Sequence, residues 1–282
     1  MFDSPSSSPF QTLKNSDRLP VLFLGHGSPM NAISDNAYRR SWQALGARFG
    51  SDWPEPQLIL CISAHWLTEG WWLTGMGQPR TIHDFGGFPQ ELFDQQYPAP
   101  GDPQAAAEIS RAVRQRGSRS LGLAMDWGLD HRAWSVLKPM FPKADIPVIQ
   151  LSMDYSRAPH EHYALAQQLK ALRRQGVLIV GSGNVVHNLG QAQRGAAAEQ
   201  AYDWAFEFDH TVAGHVQQGR LDALAAFDKL GSLARMAHPT HEHLLPLLYA
   251  AGAVDAGEPV QFFNTSFQLA SVSMRSMVWG AA

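Results

Sequence analysis

The chain has 282 residues, 45% of them hydrophobic and 17% charged, enough for one large α/β domain or two small ones with a proper core. A formal net charge of −3 without a basic run argues against nucleic acid or a membrane surface as the main partner and leaves a small molecule. The single cysteine, Cys61, excludes an internal disulfide and a thiolate metal cluster and fits a reducing, cytoplasmic setting.

Residues 1–18, with Ser4, Pro5, Ser6, Ser7, Ser8 and Pro9, have neither the basic start nor the apolar core of a signal peptide and read as a mobile tail. Nowhere is there an apolar run of about 18 residues, so no membrane span is expected. Val21 to Leu24 is a short apolar strand leading into Gly25-His26-Gly27-Ser28, where glycines let the backbone turn close to a ligand. Tyr38, Trp42, Leu45 and Phe49 mark one face of a helix and read as core. Ser51 to Pro56 is a turn.

Leu58 to Ile62 is a continuous apolar run, the pattern of a strand buried on both faces, with His65 just beyond its carboxyl end. In open α/β sheets that edge is where ligand-binding groups collect. Trp71 to Thr74 is a further strand, followed by a Gly- and Pro-rich loop over 81–101. A long loop without periodicity fits a binding lid, with Phe85 and Phe88 as an apolar wall and His83 as a weaker ligand candidate. Pro103 to Arg116 reads as a helix and Leu121 to Met125 as a strand. His131 stands at that strand's exit, before the helical stretch Ala133 to Met140. It follows Asp130, a residue type that orients or charges an imidazole.

Pro147 to Met153 is a strand and Pro159 to Gln175 a helix whose His160 and His162 are assigned to the surface. Val177 to Val180 leads through Gly181-Ser182-Gly183-Asn184 to His187. That loop lacks the third glycine of a dinucleotide fingerprint, and no Gly-x-Ser-x-Gly elbow of a serine hydrolase exists. The helix from Glu199 to Gln218 turns His210 and His215 toward solvent or a neighbouring subunit. Thr240 can cap a helix beginning at His241, placing Glu242 and His243 in a first turn that favours the neutral, metal-binding imidazole. Strands over Pro259–Phe263 and Phe267–Met277 close the chain. The order predicts a single α/β domain over 19–282, a parallel or mixed sheet with helices on both faces. His26, His65 and His187, each after a strand, bring the commonest metal-binding side chain to one sheet edge.

Leu24-Gly25-His26-Gly27-Ser28-Pro29-Met30, Ser63-Ala64-His65-Trp66, His83-Asp84-Phe85-Gly86-Gly87-Phe88-Pro89, Gly183-Asn184-Val185-Val186-His187-Asn188 and Glu242-His243-Leu244-Leu245-Pro246-Leu247-Leu248-Tyr249 together resemble the 4,5-DOPA extradiol dioxygenase family. This family lies within the class III extradiol ring-cleaving dioxygenases, which include the catalytic subunit of protocatechuate 4,5-dioxygenase. The resemblance runs from about residue 19 to the end. It implies one divalent metal ion, Zn2+ or Fe2+, held by His26, His65, His187 and His243, with His131 near substrate and dioxygen. In the protocatechuate enzymes two histidines and a glutamate hold the metal, and the counterpart of His187 is an acid/base. Glu242 beside His243 keeps both arrangements open.

The implied reaction opens a catechol such as L-DOPA by 4,5-cleavage with O2 to a semialdehyde, His131 or His187 taking the catechol protons. Ferrous iron is expected for it, because zinc has no redox states. Trp66, Phe85, Phe88 and Trp134 are candidates for the pocket wall. Two other classes use the same residues: a zinc-dependent hydrolase and a non-catalytic binding protein on this fold. Monomer and homo-oligomer are both compatible with the sequence.

Overall fold

The apolar runs of the sequence become the interior strands of one sheet, and their alternate side chains feed two cores. The computed structural model describes residues 10–280 except Arg116 and Ser118; residues 1–9 of the expected tail lie outside the described residues. The strands are β1 (Val21–Gly25), β2 (Leu58–Thr68), β3 (Trp72–Thr74), β4 (Gly122–Ala124), β5 (Val148–Asp154), β6 (Val177–Gly183), β7 (Val260–Phe263), β8 (Phe267–Gln268), β9 (Val272–Ser273) and β10 (Ser276–Trp279). The helices are α1 (Ala37–Gly46), α2 (Gln90–Phe93), α3 (Pro103–Ala112), α4 (His131–Met140), α5 (Pro159–Gln167), α6 (Asp203–Gln217), α7 (Ser232–Ala237) and α8 (Leu245–Gly252).

Among the described residues, eight strands form one mixed sheet in the order β4-β3-β5-β2-β6-β1-β10-β7, with β8 and β9 paired beside it. The centre, β5-β2-β6-β1, is parallel, and antiparallel strands flank it on both sides. Leu58, Leu60 and Ile62 of β2 join Val21, Phe23, Val177 and Ile179 in a core shared with α3, α5, α6 and α8. Ile59, Cys61, Leu22, Leu24, Leu178 and Val180 point the other way, into a core closed by α1 and α4. Each such side chain stabilises the fold by about 1.5–3 kcal/mol relative to exposure. Burial on both faces is therefore why these strands lack polar alternation.

β2 runs on to Thr68, so His65 lies inside a strand rather than after it. Its pairing with β6 stops at Ser63, and its pairing with β5 shifts register between Ile62 and Leu67. The stretch carrying His65 thus stands clear of both neighbours at the carboxyl edge, where the shorter β1 and β6 end in Gly25 and Gly183.

Three local expectations are revised. The single strand over Phe267–Met277 is broken into β8, β9 and β10 by a turn with Leu269 and Ala270 at positive φ (57° and 58°). That turn carries Gln268, whose Oε1 accepts the Ser28 N–H at 2.8 Å and so pins the loop after His26. His241 to His243 is a 3-10 turn, and α8 begins only at Leu245; Pro246, lacking an N–H, belongs in a first helical turn. His162 is buried, not on the surface: its Nδ1 meets the Tyr249 hydroxyl at 2.7 Å, and that hydroxyl also takes the Trp71 indole N–H at 2.6 Å. Phe10 and Leu13 are buried as well, and Glu108 binds the backbone of Gln11 and Thr12.

Gly183 packs its Cα against the carbonyl of His243, and a Cβ there would overlap that oxygen. Gly183→Ala is expected to lower stability by roughly 1–3 kcal/mol, read as a lower urea midpoint at unchanged slope. An unaltered midpoint would mean that this approach is not a constraint.

Candidate active site

Each histidine at the sheet edge is fixed through its outer ring nitrogen. His26 Nδ1 lies 3.0 Å from Ser182 Oγ, whose own proton goes to the Arg132 carbonyl at 2.6 Å. The hydroxyl can therefore only accept from His26, which puts the proton on Nδ1 and the lone pair on Nε2. His65 Nδ1 donates to Asp84 Oδ2 (2.7 Å), and its Nε2 accepts from Arg132 Nε (3.2 Å). His243 Nδ1 donates to Glu242 Oε1 at 3.1 Å. In all three rings the Nε2 lone pair faces inward, and those of His26 and His243 are buried without a hydrogen-bond partner.

The ring centroids of His26 and His65 lie 5.4 and 5.6 Å from that of His243. Imidazoles sharing one metal at about 2.0–2.1 Å would have centroids about 5 Å apart. Orphaned inward nitrogens, oxygen-held outer nitrogens and this spacing together fit a divalent metal, with Ser182, Asp84 and Glu242 as the partners that orient the rings. Glu242, engaged with His243 and with the Thr240 hydroxyl (3.0 Å), stands behind the ring rather than in front of it.

His187 is placed differently. Its ring stacks on that of His243 with centroids 3.5 Å apart and planes 3° from parallel. Imidazole lone pairs lie in the ring plane, so two stacked rings do not converge on one ion. His187 instead lines a cavity of about 520 Å³, a size suited to a small molecule, together with Phe88, Arg132 and Gln268. A larger cavity of about 770 Å³, between α1 and the end of α4, contains no histidine.

His131 opens α4, and its partner is Asp84, 47 residues away, not the preceding Asp130. Asp84 Oδ1 takes both the Nδ1 proton (2.7 Å) and the backbone N–H (3.0 Å) of His131 while Oδ2 holds His65. The ligand-type atoms of His65, Asp84 and His131 lie within 4.8 Å of one another. Two 2.7 Å hydrogen bonds already join them, so this trio is a proton-linked bridge, and it leaves His65 Nε2 and His131 Nε2 unprotonated. Burial is resisted at Asp84, where hydrogen bonds from His131 and His65 hold the carboxyl well below the usual range. Burial, with help from the Arg132 charge, keeps His26, His187 and His243 far below their ordinary values, and His131 falls to about 4. Neutral rings are the form that binds metal or accepts a proton.

Asp130 does a different job. Fully buried, its Oδ1 accepts from Ser63 Oγ (2.6 Å), Arg132 N (2.9 Å) and Ala133 N (3.2 Å), and its Oδ2 accepts from Gln150 Nε2 (2.7 Å). Ser63 Oγ in turn accepts the His65 N–H at 3.2 Å. Burial and the neighbouring Asp84 raise the Asp130 pKa, against the pull of His65 and these donors.

Of the proposed wall residues, Phe88 lines the cavity and Phe85 packs on His131, centroids 5.1 Å apart. Trp66 stacks on Trp127 and Trp134 donates to the Ile82 carbonyl, so both are core. His83 ties the 81–97 loop together through the Gln95 carbonyl at 2.8 Å. Asp84, Ser182, Arg132 and the anchoring role of Asp130 were not singled out from sequence. Asp84 stood inside the 83–89 stretch that carries the resemblance, and that was the signal available for it.

Residues 20–278 match the family model of the catalytic LigB subunit of aromatic ring-opening dioxygenase. The chain is 42% identical to the 4,5-DOPA dioxygenase extradiol of Escherichia coli (strain K12), over 95% of this chain and 97% of that protein. It is 34% identical to the protein of the same name from Beta vulgaris, over 88% of this chain and 91% of that one. The crystal structure of an uncharacterized protein from Escherichia coli K12 superposes with a TM-score of 0.77 at 37% identity, covering 93% of this chain and 99% of that one.

The Asp130 network makes a reversible prediction. Asp130→Asn sets an amide N–H against Gln150 Nε2, and flipping Gln150 would set its N–H against the Asp130 backbone N–H, which now reaches Gln150 Oε1 at 2.9 Å. The variant should lose about 1–3 kcal/mol of stability. Adding Gln150→Glu supplies acceptors for both donors and should recover most of it. Urea unfolding of the single and double variants decides, and equal midpoints for the two would refute the coupling.

Proposed function

The chain belongs to the family of the catalytic LigB subunit of aromatic ring-opening dioxygenases, and from that premise we propose that it opens a catechol such as L-DOPA by extradiol 4,5-cleavage, using a divalent metal at His26, His65 and His243. What supports this reading above all is the set of inward, unprotonated Nε2 atoms beside a cavity of about 520 Å³. Ferrous iron bound there would supply a path for electron density from catecholate to dioxygen, which zinc, without redox states, cannot.

The chain's own residues then do the rest. His187, held flat against His243 at the cavity wall, and His131, with its Nε2 free, are bases able to take the protons of the two catechol hydroxyls. Asp84 keeps His131 in the accepting tautomer and ties it to His65, so a base and a metal-holding ring cannot turn independently. Phe88, Phe267, Leu269 and Val272 give the cavity an apolar wall that excludes water and accepts the flat ring. Three protein ligands leave room for the diol and for oxygen.

Protein loaded with ferrous iron without air, then given L-DOPA and oxygen, should consume one O2 per substrate and form a yellow semialdehyde. His131→Ala should slow this by roughly 10²–10⁴-fold with the metal retained. No ring opening of any catechol with iron confirmed in place would overturn the reading. On the ligand shell, His243→Ala should strip the metal. Glu242→Gln, which only loosens the ring, should weaken metal binding by about 10–100-fold. Elemental analysis under chelator competition checks both, and a greater loss in Glu242→Gln would make the carboxylate the ligand.

A further inference from the structure

We propose that Arg132 is a specificity residue that binds a carboxylate on the substrate's ring substituent, so that the preferred substrates are acidic catechols. The inference rests on the ring-cleaving reading above and adds to it the residue that recognises the acidic substituent of a catechol such as L-DOPA. Arg132 is the second residue of α4 and only 9% exposed, yet its guanidinium forms no ion pair with a carboxylate among the described residues. It has two neutral acceptors: Nε donates to His65 Nε2 at 3.2 Å and Nη1 to the Gly27 carbonyl. The nearest acids are occupied elsewhere, Asp84 by His65 and His131 and Asp130 by Ser63, Gln150 and the start of α4.

Asp84 and Asp130 are near enough to offset the Arg132 charge in part, but neither accepts a hydrogen bond from the guanidinium, and a buried charge with an incomplete set of partners is costly. Arg132 borders the 520 Å³ cavity, and the other residues lining it are apolar or uncharged. A metal held by His65 must use Nε2, since Nδ1 belongs to Asp84, and that removes the acceptor of Arg132 Nε. The fork is then left with donors facing the cavity, and a planar carboxylate matches it in a bidentate pair, the strongest hydrogen-bonded arrangement open to arginine.

The test uses zinc-loaded protein kept without air, so that no ring opening can follow binding, and compares 3-(3,4-dihydroxyphenyl)propionate with 4-ethylcatechol, which lacks the carboxylate. The wild type should bind the acid roughly 10–100-fold more tightly, the range of a charge-assisted bond. Arg132→Gln should bring that ratio close to one, and Arg132→Lys should keep part of it. The readout is a ratio within each protein, so a uniformly weakened variant does not count as support. A wild-type ratio near one, or a ratio preserved in Arg132→Gln, overturns the proposal. So does equal loss of both catechols in Arg132→Gln, which would assign the guanidinium to the ring oxygens. Failure of the iron-loaded enzyme to open catechols would refute the reaction while leaving this ratio to be judged separately.

Discussion

Everything above the sheet edge depends on the buried carboxylate of Asp130. An ion removed from water loses several kcal/mol even after relaxation, and the loss is offset only when donors surround it. Here they come from β2 through Ser63, from β5 through Gln150 and from the start of α4 through two backbone N–H groups. No two of these elements satisfy the carboxylate without the third. The same contacts set the height of His65 and the direction of His131, so the stability of the fold and the shape of the site share one cause.

Around that anchor the histidines obey a single rule: oxygen behind, lone pair in front. Ser182, Asp84 and Glu242 choose the tautomer of His26, His65 and His243, and burial keeps the His26 and His243 rings neutral. The 81–97 loop enters the site through Asp84, since its aromatic residues bury the loop while its carboxylate links the His65 ring to the His131 ring.

The architecture was legible because burial on both faces writes itself as unbroken apolar runs, as in Leu58 to Ile62 and Val177 to Val180. The edge histidines were legible because they follow such runs. The extent of β2 was not, since Ser63, His65 and Thr68 interrupt the apolar run, and the register shift that releases it depends on β5. His162 had a usable signal that was missed: with Leu165, Ala166 and Leu169 it falls on one buried helical stripe. Asp84, Arg132 and Asp130 act through partners up to 105 residues away, and local spacing says nothing of such pairs. The broken strand after Phe267 is a case of tertiary contact overriding propensity, because the Gln268 bond to Ser28 is what the turn provides.

The last strand of the sheet is also a neighbour of the first. β10 lies between β1 and β7, with Val21 opposite Trp279 and Phe23 opposite Met277. While the chain is being made, β1 therefore has one side open until residues 276–279 have left the ribosome. The loop bearing His26 lacks its Gln268 support for as long. Domains generally fold as units, and long-range pairings such as this one form late. Newly made protein would then pass through a stage in which the imidazoles are not yet gathered, and the histidine cluster at the sheet edge is completed only once that pairing has formed.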